Sequence, residues 1–199
     1  MVGIGGVLVG ALIGGALGLV AGYRGGWTDR GGSILTDTLL AVPSLILLIA
    51  IVTVLDPTLP NVTLALGIMA VPSYTRLVRA NAMGFAGREF VTAARSLGAG
   101  ELRIMLREVT PNIVQPVFSY SFMLIAVLIV AEASLSYLGL SIPRPEPTWG
   151  NMISAGQSNF QRDPQLVGIP AFVLFLTVLS LNQLGEAAGR KWSPGTAKI

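Results

Sequence analysis

Five long apolar stretches set the pattern of the chain, at residues 2–21, 34–55, 62–78, 114–131 and 167–184, with Gly, Pro, Arg and acidic residues gathered between them. A helix needs about 20 predominantly apolar residues to cross a bilayer core. The pattern therefore predicts five membrane-spanning helices in an all-α, polytopic transmembrane bundle, one domain over 1–199. An odd number of crossings puts the two ends on opposite sides.

The connections between these stretches alternate in charge. Arg24 and Arg30 follow the first, no basic residue follows the second, and Arg76, Arg79, Arg88, Arg95, Arg103 and Arg107 cluster around the third connection. Arg144 and Arg162 follow the fourth stretch, and Arg190, Lys191 and Lys198 close the chain. Basic residues concentrate on the cytoplasmic side of membrane proteins. The rule places the first connection, the loop 84–111 and the tail 185–199 in the cytoplasm, and the segment 132–166 outside. The first span then begins outside with no basic flank to hold it, so a further span upstream of residue 1 is expected. A cleaved signal peptide fits poorly, because the stretch has no basic start and is too long for the apolar region of such a signal.

Composition narrows the chemistry. Hydrophobic residues make up 52% of the chain and charged residues only 12%, while 24 Gly suit the close backbone approach by which helices pack in lipid. The net charge of +3 follows the topology pattern and does not point to nucleic acid. Without Cys or His there are no disulfides, thiolate nucleophiles or imidazole bases, and few ways to ligate a transition metal. Two carboxylates sit at the edges of spans in structural polar roles: Asp37, near the start of the second, where a helix N-terminus favours negative charge, and Glu132, at the outer end of the fourth. No span carries the chain of Asp, Glu and His that proton-coupled pumping requires. Neither a Gly-x-x-x-x-Gly-Lys-[Ser/Thr] loop nor a Gly-x-Ser-x-Gly elbow is present, so this sequence offers no nucleotide site and no catalytic site. Energy for transport would come from a partner chain.

The loop 84–111 reads as two short amphipathic helices. Phe90, Ala94 and Leu97 recur at helical spacing, then Leu102, Met105, Leu106 and Val109. Gly98 falls where the first should end in a left-handed residue, and Pro111 can open the next span in its first turn. Helices this short are marginal alone. Their apolar faces need a cover: a protein partner, their own bundle, or a lipid surface helped by the four arginines 88, 95, 103 and 107.

The residues Ala93-Ala94, Gly98 and Pro111 resemble the EAA loop of ATP-binding-cassette importer permeases. Thr92 and Thr110 stand where that pattern carries Glu and Leu, and Glu89 lies three residues before Thr92 on the same helix face. Five further stretches are similar, in order, to the second permease of dipeptide, oligopeptide and nickel importers: 21–27, 37–44 (Asp-Thr-Leu-Leu-Ala-Val-Pro-Ser), 74–79, 131–140 and 147–152 (Pro-Thr-Trp-Gly-Asn-Met). The resemblance covers essentially the whole chain. It implies a six-span type I importer permease, in agreement with the upstream span expected from charge. It also implies ATPase coupling through Glu89, Ala93, Ala94, Leu97, Gly98 and Pro111.

The partners implied are a second permease subunit, two ATP-binding subunits that hold ATP and Mg, and an extracytoplasmic solute-binding protein, in the plasma membrane of a prokaryote. No cofactor belongs to this chain. The segment 132–166 carries Pro143, Pro145, Pro147 and Pro164 and reads as stiff and turn-rich, without a folded domain. Tyr137 and Trp149 within it are either contacts for the binding protein or interfacial aromatic anchors. Competing readings are an ATPase-independent pore and a structural membrane anchor. The transported solute has no legible code in the spans.

Overall fold

The computed structural model describes residues 1–143 and 145–192, and all regular structure among them is helical. Arg144 and the end of the tail, with Lys198, lie outside the described residues. The elements are α1 (Val2–Arg24), α2 (Gly26–Ala41), α3 (Ser44–Val54), α4 (Leu59–Ala86), α5 (Glu89–Ser96), α6 (Glu101–Ile104), α7 (Thr110–Tyr137), α8 (Trp149–Gly156) and α9 (Gln165–Trp192).

The central pair is α1 and α4, which run parallel in close contact along their length. Gly6, Gly10, Gly14, Gly18 and Gly22 recur every fourth residue on one face of α1 and meet Leu66, Ala70, Tyr74, Val78 and Ala82 of α4 in constant register. A Cβ on Gly14 would lie 2.5 Å from the Val71 carbonyl oxygen, and one on Gly18 2.5 Å from that of Thr75. Lipid tails are as apolar as leucine, so helices in a bilayer associate through such packing and not through hydrophobic exclusion. Glycine spacing is thus the direct cause of this pairing.

Between these two helices the chain returns through α2 and α3, which meet at 90°. The single helix expected over 34–55 is broken at Val42–Pro43, and the helical structure begins earlier, at Gly26. Pro43 crowds the residue before it out of the helical region; Val42 is extended, at φ −78°, ψ 128°. Helix α4 is longer than expected, and its 28 residues span about 42 Å at 1.5 Å per residue.

Pro111 does not open a new helix. Residues 101–137 form one continuous helix, and a π turn at Met105–Val109 sits just before the proline. Proline lacks an N–H and clashes with the carbonyl four residues back. The wider turn absorbs that clash, and the Thr110 hydroxyl donates to the Met105 carbonyl at 2.8 Å. Helix α9 packs antiparallel to α7, with Gly185 against Ser119 and Phe122. It continues through residues 185–192, which the sequence pattern assigned to the tail.

Two apolar clusters result. One fills the middle of the bundle around Leu48, Leu66, Tyr74, Leu128 and Leu135. The other lies where α5 and α6 fold back on it, around Tyr23, Val78, Val91, Ile104 and Val109. Among the described residues three helices are long and apolar enough to cross a membrane, Val2–Arg24, Glu101–Tyr137 and Gln165–Lys191, and the bent pair α2–α3 would make a fourth. Helix α4 is long enough as well, but Arg76, Arg79 and several hydroxyls occupy its second half.

Candidate functional site

The knob formed by α5 and α6 closes one end of the bundle. Its first helix ends at Ser96 with Leu97 as its cap, and Gly98 next to it adopts φ +81°. The Gly98 N–H donates to the Arg95 carbonyl at 3.0 Å and the Ala99 N–H to the Ala94 carbonyl at 3.1 Å, the pair of bonds that satisfies a helix end around a left-handed residue. Glycine reaches that conformation without a Cβ penalty.

The buried face of the knob follows the predicted stripes only in part, at Ala94, Met105 and Val109. Val91 is fully buried and Ala94 partly so, followed by Ile104, Met105 and Val109. Phe90, Leu97, Leu102 and Leu106 point outward, Leu97 being 88% exposed. Four large apolar side chains therefore stand uncovered on the knob, interleaved with Arg88, Arg103 and Arg107. Of the expected coupling residues, Glu89, Ala93, Leu97, Gly98 and Pro111 are exposed and Ala94 is half-buried. Glu89 is in the first turn of α5, where the helix dipole favours a carboxylate.

Two polar contacts fasten the knob to α1. Arg24 Nε donates to Glu101 Oε2 at 3.3 Å, and the Arg95 guanidinium donates to the Tyr23 hydroxyl at 3.3 Å. Two further ion pairs fasten α2 to α4. Arg79 grips both carboxylate oxygens of Asp29, one of them at 2.9 Å, with both side chains largely shielded from solvent. Arg76 donates to Asp37 at 2.7 Å in an exposed pair. Asp37 is thus not at a helix N-terminus as expected, because α2 starts upstream at Gly26. It sits near the C-terminal end, where the helix dipole disfavours a carboxylate and Arg76 offsets the charge. Sequence reasoning noted Asp37 but missed Asp29, Arg79, Tyr23, Arg24 and Glu101 as partners.

At the opposite end, Glu132 accepts a hydrogen bond from the Ser141 hydroxyl at 3.0 Å. The segment 132–166 is more ordered than its prolines suggested, since it contains α8. Thr148 caps that helix by accepting from the Asn151 N–H at 3.1 Å, and its hydroxyl also pairs with that of Ser136 on α7. Thr-x-x-Asn was the missed signal for this helix start. Gly150 packs so closely on the Ala133 carbonyl that a Cβ has no room. Tyr137 donates to Gln157 Oε1 at 3.1 Å, and Trp149, half-buried, opens α8.

Long apolar helices, a glycine-packed core and a basic knob at one end define a multi-pass α-helical membrane protein. The chain belongs to the family of binding-protein-dependent transport system inner membrane components, which it matches over residues 14–196. It is similar to the glutathione transport system permease protein GsiD of Pectobacterium atrosepticum, 39% identical over 92% of this chain and 61% of the relative. It is likewise 40% identical to the proteins of that name from Escherichia coli O1:K1 / APEC and Shigella sonnei, over 90% of this chain and 59% of each relative. The chain thus spans about three-fifths of the length of these curated relatives.

Proposed function

We propose that this chain forms half of the translocation pathway of an ATP-driven importer and is itself not an enzyme. Hydrolysis of ATP, with its Mg, is the work of two partner ATPase subunits; a second permease subunit completes the pathway, and an extracytoplasmic binding protein delivers solute near Tyr137 and Trp149. The solute is a small peptide-like molecule, a class suggested by relatives named for glutathione transport. In this reading the knob end, with the C-terminus, faces the cytoplasm.

The observation that carries the proposal is the uncovered apolar face of the knob. Phe90 and Leu97 are exposed on and just past α5, an eight-residue helix that is marginal alone, and Leu102 and Leu106 on the adjoining start of the long helix 101–137. A cytosolic protein surface would cover them. Push or pull on that surface reaches α1 through Arg24 and Tyr23, and α1 carries it into α4 through the glycine contacts.

The test is co-expression of the transporter's subunits, with purification through a tag on this chain and uptake of radiolabelled glutathione in membrane vesicles. Retention of the ATPase by the unmodified chain, and its loss in a Leu97→Glu, Leu102→Glu variant that still inserts, is the expected result. Undiminished ATPase retention and uptake in the variant would overturn the reading in favour of a pore or an anchor.

A further inference from the structure

The break between α2 and α3 lies halfway along the bundle. Val42 and Pro43 sit beside Met69–Pro72 of α4 and Leu124–Leu128 of α7, which are mid-helix in both. A break there has a chemical consequence. The last carbonyls of α2 lose the N–H groups that would continue the helix: Pro43 has none, and the extended Val42 turns the chain off the helix axis before α3 begins. A second proline, Pro72 of α4, borders the same space and gives no N–H to the Ile68 carbonyl.

Two hydroxyls join these carbonyls. Most helical hydroxyls here donate back to the carbonyl four residues earlier, as those of Thr38, Thr63 and Thr75 do. Ser44 and Ser73 make no hydrogen bond among the described residues, and both line a cavity of about 330 Å³ with Ala41, Val42, Pro43 and Pro72. Leu124, Val127 and Leu128 form its apolar wall. Irregular backbone at membrane depth is tolerated only where protein buries it or it borders a water-filled space, because hydrocarbon cannot satisfy its polar groups. The exposed, unpaired Ser44 and its neighbours fit the second case.

We propose that the α2–α3 break, with Ser44 and Ser73, is a solute-contact subsite that recognises a peptide amide and amino group through backbone carbonyls and hydroxyls. It rests on the permease reading above and deepens it. Carbonyl oxygens accept from the N–H donors that every small peptide carries. The hydroxyls accept or donate as required, and the apolar wall with the flexible Met69 takes varied side chains. Recognition of the backbone and not of one side chain accounts for the lack of a charged binding code in the spans.

Because the chain has no Cys, Ser44→Cys and Ser73→Cys can be introduced singly into the complete transporter in membrane vesicles. A charged methanethiosulfonate reagent is the probe, with alanyl-alanine and glutathione as separate protectants. Both cysteines should react, and either protectant at ten times its dissociation constant should slow the reaction roughly tenfold by mass action. A Phe172→Cys control on the exposed face of α9 should not react. In the Ser44→Ala, Ser73→Ala pair, the KM for whichever solute is imported should rise about fivefold or more at unchanged maximal rate, as lost hydrogen bonds require. Cysteines closed to the reagent would mean a partner subunit covers the break. Reaction without protection, or an unchanged KM, would mean water but no solute contact. Each of these overturns the subsite while leaving the permease reading intact. If the unmodified transporter imports neither solute, the permease reading falls and takes the subsite with it.

Discussion

Gly14 of α1 lies so close to Val71 of α4 that a Cβ added to it would stand 2.5 Å from the Val71 carbonyl oxygen, whereas nothing lies within 4 Å of the same position on Gly15. Adjacent residues on one helix thus differ completely in what they tolerate. Gly14→Val should destabilise the solubilised protein by about 1–3 kcal/mol, the usual cost of overpacking. Gly15→Val should fall within about 0.5 kcal/mol of the unmodified protein. Thermal unfolding in detergent measures both, and equal midpoints for the two variants would contradict the packing described.

Gly98 makes the same kind of contrast at the knob, for a backbone reason. Its φ of +81° costs an L-residue roughly 1 kcal/mol or more, which is small for the bundle and large for the eight-residue helix α5. Gly98→Val should insert normally but retain less ATPase and import less solute at matched permease levels. Gly84→Val, on the regular helix α4 with open space around it, serves as the control and should retain both.

The two ion pairs between α2 and α4 should differ in strength. Side chains of Asp29 and Arg79 are 19% and 28% exposed, and those of Asp37 and Arg76 are 62% and 60% exposed. A double-mutant cycle on Asp29 and Arg79 should give a coupling of about 1–3 kcal/mol, and one on Asp37 and Arg76 no more than about 1 kcal/mol. Raising the salt concentration should erode the second more than the first. Equal couplings would show that the shielding of Asp29 has no energetic effect.

Sidedness follows from the arginine distribution and can be read directly in a chain that lacks Cys. Asp56→Cys, in the connection free of basic residues, should be labelled from outside by an impermeant maleimide. Gly84→Cys, near the knob, should be labelled only after permeabilisation. The opposite pattern would invert the proposed orientation.

What the sequence discloses follows what is local. Apolar length predicted where the long helices lie, and the left-handed stop at Gly98 could be read from one residue. The bend at Pro43 was readable in principle, because proline restricts the residue before it, but unbroken hydrophobicity over 34–55 hid it. The π turn before Pro111 was out of reach, since a proline there fits a helix start equally well. Partners such as Asp29 with Arg79, or Arg24 with Glu101, lie 50 and 77 residues apart. Their meeting depends on the parallel packing of α1 and α4, and that packing was encoded in a four-residue glycine period visible from the start. The knob's buried face depends on which surfaces α1 and α4 present, so helical spacing predicted the amphipathic helices and placed Ala94, Met105 and Val109 inward, but not that Phe90, Leu97, Leu102 and Leu106 stay outside.

The evenly spaced glycines of α1 also leave something undetermined. Since the glycines repeat every four residues, sliding α1 along α4 by one repeat, about 6 Å, would seat every glycine but the terminal one in the neighbouring notch. The glycines alone do not choose an alignment; on the α4 side it is set by unlike residues, Leu66, Ala70, Tyr74, Val78 and Ala82, and by Gly67, which receives Val9. The ends add to that choice, where Tyr23 and Arg24 meet Arg95 and Glu101 of the knob. An exposed ion pair and a part-buried hydrogen bond thereby act as a stop at one end of the long α1–α4 seam.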